Sequence, residues 1–121
     1  MNERAIPSFG GLVFGGADLK NGWYRSVVAG VEGINDSDGG WGLNLTFSVD
    51  GVEDVDVFRN FYIGDNHPDI RDYSIWEMDT LARAADRVFT CPDDILGASV
   101  MVKIRINCDG TPYITKWKAL R

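Results

Sequence analysis

The sequence predicts a mainly β protein with one helix, a small five-stranded barrel whose elements follow in the order β-β-β-α-β-β. Three observations carry that expectation. Five stretches between Gly22 and Arg121 alternate apolar and polar residues at the period of a strand. One stretch between the third and the fourth, from Ser74 to about Phe89, repeats its apolar residues at helical period instead. A lone amphipathic helix must bury its stripe, and only strands are at hand to receive it. Barrels of this kind mostly bind ligands rather than transform them.

The first strand is expected from Gly22 to about Glu32. Trp23, Arg25, Val27, Ala29 and Val31 share one face, and Tyr24, Ser26, Val28 and Gly30 the other. Gly33 to Gly40 is polar and reads as a wide hairpin loop. The second strand alternates most cleanly, with Trp41, Leu43, Leu45, Phe47 and Val49 set against Gly42, Asn44, Thr46, Ser48 and Asp50. Asp50-Gly51 is a turn signal. The third strand, about Val55 to Ile63, carries aromatics on both faces, and Gly64 to Tyr73 reads as a loop containing His67-Pro68.

Ser74 and Glu77 have the spacing of a capping box, which places the helix start at Ser74. Ile75, Met78, Leu81, Ala82, Ala85, Val88 and Phe89 then form its apolar stripe. Cys91-Pro92-Asp93-Asp94 stops it. In the fourth strand Val100, Val102, Ile104 and Ile106 form the buried set, opposite Met101, Lys103, Arg105 and Asn107. Asp109-Gly110 suits a tight hairpin. The fifth strand, Thr111 to about Lys118, sets Tyr113, Thr115 and Trp117 against Ile114, Lys116 and Lys118. Residues 1–20 are glycine-rich and read as an N-terminal arm, with Phe9, Leu12, Val13 and Phe14 available to pack on the domain. Residues 21–121 form that domain.

A chain of 121 residues has room for one domain. No apolar run approaches the roughly 18–20 residues of a membrane span. The start, Met1-Asn2-Glu3-Arg4, lacks the pattern of a secretory signal, so a cytoplasmic setting is expected, with Cys91 and Cys108 as free thiols. The net charge of −6 is unevenly spread: residues 101–121 hold five Lys/Arg against Asp109 alone. A segregated charge lets an acidic protein still present a basic stripe.

Catalysis is not expected. His67, the single histidine, precedes a proline in a loop, and nothing near either cysteine suggests an activated thiol. Two cysteines and one histidine lack zinc spacing. Asp50, Glu53, Asp54 and Asp56 do not match a calcium loop, and Asp36 with Asp38 makes a weak cation site. No metal and no cofactor is implied. What remains is aromatic and basic residues on strands. Single-stranded nucleic acid is bound by bases stacked on aromatics and by cations tracking the phosphates. Tyr24, Phe58, Tyr62, Tyr113 and Trp117 alternate out of phase with the most apolar faces, and Lys103, Arg105, Lys116 and Lys118 supply positive charge. The same residues also suit a structural role, closing the barrel ends and protecting strand edges.

The pattern of Asn21-Gly22-Trp23-Tyr24, Gly39 to Phe47, Phe58 to Ile63, Leu81 to Ala85, Asp94 to Gly97 and Tyr113 to Trp117 resembles a family of small bacteriophage proteins. That family has long been a domain of unknown function, encoded among phage recombination and replication genes. The resemblance covers about residues 21–120. It implies an OB-like fold and single-stranded DNA binding in phage DNA metabolism, in the host cytoplasm. The expected site is Tyr24, Phe58, Tyr62 and Trp117 for stacking, with Lys103, Arg105 and Lys116 on phosphates. The expected partners are single-stranded DNA, further copies of the chain in a homo-oligomer, and phage or host replication and recombination proteins. The acidic balance supports a second expectation: a protein-interaction module that inhibits a host nucleic-acid enzyme by presenting carboxylates where phosphates would sit.

Overall fold

A computed structural model describes residues 19–35, 37, 39–51 and 55–121. The expected packing of Phe9, Leu12, Val13 and Phe14, and the carboxylates of Asp36, Asp38, Glu53 and Asp54, lie outside the described residues. The elements are β1 (Gly22–Asn35), β2 (Trp41–Val49), β3 (Asp56–Gly64), α1 (Pro68–Ala85), α2 (Pro92–Ile95), β4 (Ser99–Ile106) and β5 (Pro112–Lys118). The short α2 is an addition to the expected order. All strand pairs are antiparallel, and the lateral order in the sheet is β3-β2-β1-β4-β5, not the order along the chain.

The sheet curls into a half-barrel around one apolar core. Leu43, Leu45, Phe47 and Val49 of β2, Val57 and Phe61 of β3, and Val100, Val102 and Ile104 of β4 all point into it, as their alternation predicts. Three bulges set the curvature. Ala29 is the extra residue of β1 against β2, Thr115 the extra residue of β5 against β4, and Gly42 faces both Tyr62 and Ile63 of β3. A Cβ at Gly42 would sit 2.7 Å from the Phe61 carbonyl oxygen, so this bulge needs a glycine. Past each bulge the alternation of side chains between the two faces reverses. Val31 therefore turns inward opposite Leu45, rather than sharing a face with Trp23 and Arg25.

The helix begins earlier and ends sooner than its sequence suggested. Pro68 occupies the first turn, where its fixed φ and missing N–H cost nothing, and the Asp65 carboxylate accepts the His67 N–H at 2.7 Å just ahead of it. Ser74 and Glu77 are thus not a cap: both lie mid-helix and both are buried. Asp86, in the left-handed region at φ 56°, ends the helix. The buried stripe is Ser74, Glu77, Met78, Leu81 and Ala82, which leaves Ile75 about half exposed and puts Val88 and Phe89 beyond the helix.

Glu77 is buried because it has a partner. β3 and β5 are the two edges of the sheet, and α1 lies along both. At this seam the inward-pointing Arg59 donates from Nη2 to Glu77 Oε2 at 2.5 Å. Its guanidinium stacks on Trp117 (4.9 Å to the ring centroid) and on Phe61 (5.3 Å). The Trp117 indole donates to the Thr80 hydroxyl at 3.0 Å, so β3, α1 and β5 are tied side chain to side chain. Removing one partner from such a pair leaves a charge without compensation. Glu77→Ala should therefore lower stability in urea denaturation by about 3 kcal/mol, the low end for a buried pair because Arg59 retains some contact with water. The double change Arg59→Met with Glu77→Leu should return to within roughly 1 kcal/mol of the parent. A single variant as stable as the parent would show that the pair does not hold the seam.

Candidate nucleic-acid interface

The basic residues of β4 and β5 share the outer face of the half-barrel with the first half of β1. In β4 the strict alternation sends Val102 and Ile104 inward and Lys103 and Arg105 outward. In β5 the Thr115 bulge is decisive. Simple alternation would put Lys116 and Lys118 on the buried face of Ile114. With Thr115 looped out and its hydroxyl bonded to the Lys103 carbonyl (3.3 Å), both lysines come to the outside.

The register then builds rows across three strands: Trp23 beside Lys103 beside Lys116, Arg25 beside Met101 beside Lys118, and Arg105 beside Tyr113. Neighbouring rows and columns are roughly 5–7 Å apart by sheet geometry. No carboxylate lies within the paired segments of β4 and β5, while on the β1 side Asp50, whose N–H donates to the Arg25 carbonyl at 2.9 Å, borders the face. Among the described residues none of these cations is in an ion pair; Lys118 lies 4.3 Å over the Trp23 ring. A protein of net charge −6 thus gathers cations that are in no ion pair on one surface, with aromatic rings set among them.

Of the residues expected at a binding site, the fold brings Lys103, Arg105 and Lys116 together here. Phe58, 60% exposed, and Tyr62 also face outward, but on β3, three strand spacings away from β4, roughly 14 Å along the curved surface. There they flank a polar chain in which Asn44 donates to Asn60 (2.7 Å) and Asn60 to the Tyr62 oxygen (3.1 Å). Tyr24 and Trp117 do not face outward. Tyr24 pairs with Val102 on the inner side and its hydroxyl donates to the Lys20 carbonyl at 2.6 Å. Trp117 is turned inward by the bulge and serves the seam.

Sequence reasoning passed over Trp23 and Arg25, whose place in the patch depends on the β1–β4 register. It also passed over Tyr73 and Trp76, each 59% exposed on α1. Trp76 is a large aromatic off the buried stripe, and that was a visible signal.

Two carboxyls have clear environments. Asp109, at the hairpin that ends the patch, is held below the usual carboxylate value by the Thr111 backbone N–H it accepts at 2.9 Å. Asp94 is lowered first by the Thr90 hydroxyl (2.5 Å) and then by the Thr90 N–H (2.8 Å), which anchors α2. Among the described residues no group of three or more His, Cys, Asp or Glu is placed to hold a metal ion. Cys91 and Cys108 are exposed free thiols. No helix of the described residues is long and apolar enough to cross a membrane. No model of a known protein family matches the chain, and no curated protein matches its sequence.

The lowered carboxyls give a pH dependence of known sign. Their contribution to stability is complete above the ordinary Asp value of 3.8 and is lost as pH falls through the lower folded values. Asp109→Asn with Asp94→Asn should therefore flatten the decline in melting temperature between about pH 4 and pH 2. A decline as steep as the parent's would assign it to other carboxyls.

Proposed function

We propose that the chain is an OB-like, single-stranded DNA-binding protein of phage replication or recombination, acting as a homo-oligomer along the strand. The observation that carries this reading is the cluster of Lys103, Arg105, Lys116 and Lys118 on one face of β4 and β5, paired strands that carry no carboxylate, in an otherwise acidic protein. A polyanion is the ligand class that such a face attracts. Support for the OB-like reading is the sheet order with edges β3 and β5 brought side by side, which is that of a partly open five-stranded Greek-key barrel. In this mechanism phosphates lie on Lys103, Arg105 and Lys116, and bases stack on the interleaved rings of Trp23 and Tyr113. Phe58 and Tyr62, on the β2–β3 face that OB modules commonly use, extend the path for longer strands.

One observation favours a second reading. Acidic residues crowd α1 and the segment after it, with Asp69, Asp72, Asp79, Asp86 and Asp93 all exposed. A protein-interaction module that mimics phosphates would use that side, and the basic face would then be irrelevant to its activity.

An oligo-dT titration followed by fluorescence anisotropy separates the two. The first reading expects binding that weakens steeply with added salt, and Lys103→Glu with Arg105→Glu should abolish it without changing the melting temperature. Phe58→Ala should cost roughly tenfold, one base stack, on a long oligomer only. Absence of binding at low salt sinks the DNA reading and leaves the acidic module.

A further inference from the structure

Beside β5 the basic face runs into a groove of about 410 Å³ whose other wall is the exposed aromatic pair of α1. Resting on the proposed nucleic-acid function, we infer that this groove is a second base-stacking subsite, in which Tyr73 and Trp76 take one or two bases from a strand whose phosphate is held by Lys116.

The residues come from two elements. Tyr73 and Trp76 are three apart on α1 and so lie on one face, ring centroids 5.7 Å apart and planes 31° from parallel. Thr115, Lys116 and Trp117 form the facing wall. Most polar groups in the groove are already engaged. The Thr80 hydroxyl accepts from Trp117 and donates to the Glu77 carbonyl, and the Thr115 hydroxyl donates to Lys103. Glu77, the one carboxylate lining the groove, is held by Arg59. That leaves two features for a ligand: exposed π-faces and one unpaired ammonium.

A flat aromatic group joined to a phosphate fits both, and a nucleotide within a strand is that group. Continuity makes the strand the better occupant than a free nucleotide. Lys116 belongs to the groove and also to the Trp23–Lys103–Lys116 row, so a strand on the basic face reaches the groove without leaving its cation. The apolar cavity lined by Trp41, Ile63, Phe89 and Ile95 has no such cation. Base–aromatic stacking tolerates any sequence, so this subsite would lengthen the site without making it selective.

The test compares two probes, a dT oligomer of about 4 nucleotides and one of about 12, the range of a single OB-type site. Tyr73→Ala with Trp76→Ala should weaken the longer probe about tenfold or more and leave the shorter one unchanged. The more conservative Trp76→Phe should retain affinity for the longer probe but lose part of the tryptophan quenching that it causes. Unchanged affinity of the double variant for the longer probe overturns the inference while leaving the basic-face reading intact. Equal weakening of both probes also overturns it, because the groove would then not be a separate subsite. If the double variant melts earlier than the parent, Trp76→Phe decides alone: undiminished quenching places no base on Trp76. Failure of the parent to bind either probe removes the subsite and the basic-face reading together.

Discussion

The architecture depends on how two strand edges are held together without hydrogen bonds between them. β3 and β5 end the sheet, and an open edge is a template for unwanted pairing. Here a cation does the joining. Arg59 points into the barrel from β3, takes its counter-charge from Glu77 of α1, and spreads its guanidinium against Phe61 and Trp117. A guanidinium suits this place because it is weakly hydrated and stacks on rings, whereas an ammonium would lose much more hydration. The contact is imperfect in one respect: the buried Nη1 of Arg59 has no hydrogen-bond partner. An unpaired buried donor subtracts from what the ion pair contributes to stability, so the ring contacts of the guanidinium carry part of the seam.

The same constraint organises the outside. Because Trp117 is needed at the seam, it must point inward, and with Ile114 also inward the strand must contain an extra residue between them. The bulge at Thr115 supplies it. Its consequence for the surface is that Lys116 and Lys118 both emerge on the side of Lys103 and Arg105. A demand of the core thus produces the basic face, and no long-range electrostatic design is required to explain why the cations of the last two strands agree in direction.

This is also where the sequence stopped being readable. Leu43 to Val49 and Val100 to Ile104 were legible because their alternation is unbroken and one face is wholly buried, whereas Trp41, expected on the same face, is 53% exposed beyond the bulge. The Asp109-Gly110 hairpin was legible because only a few residue types tolerate its backbone, with Gly110 at φ 87°. Bulges leave no such mark, since Ala29 and Thr115 are ordinary strand residues. Strict alternation therefore put Trp117 and Val31 on the wrong sides. The helix was found where expected, but its bounds were misplaced for a different reason. Its buried stripe contains Ser74 and Glu77, polar residues that a search for apolar period excludes, and their partners lie on other elements. Of the seven expected site residues Lys103, Arg105 and Lys116 share one face, the first two because β4 is unbulged there and Lys116 only because of the bulge at Thr115.

Acidity and a polyanion-binding face are compatible once distance is considered. Exposed charges more than about 8–10 Å apart are largely screened at physiological ionic strength. Cations in adjacent rows of the sheet lie within that distance of one another and act on a phosphate together. Net charge still matters at longer range, where it slows the approach of any polyanion and keeps copies of the chain apart. Under the proposed function, local attraction combined with global repulsion would let a strand be held only when several phosphates are engaged at once. The rows across β1, β4 and β5 have the geometry for such engagement. A single mononucleotide, touching one cation, would gain too little to overcome the surrounding field.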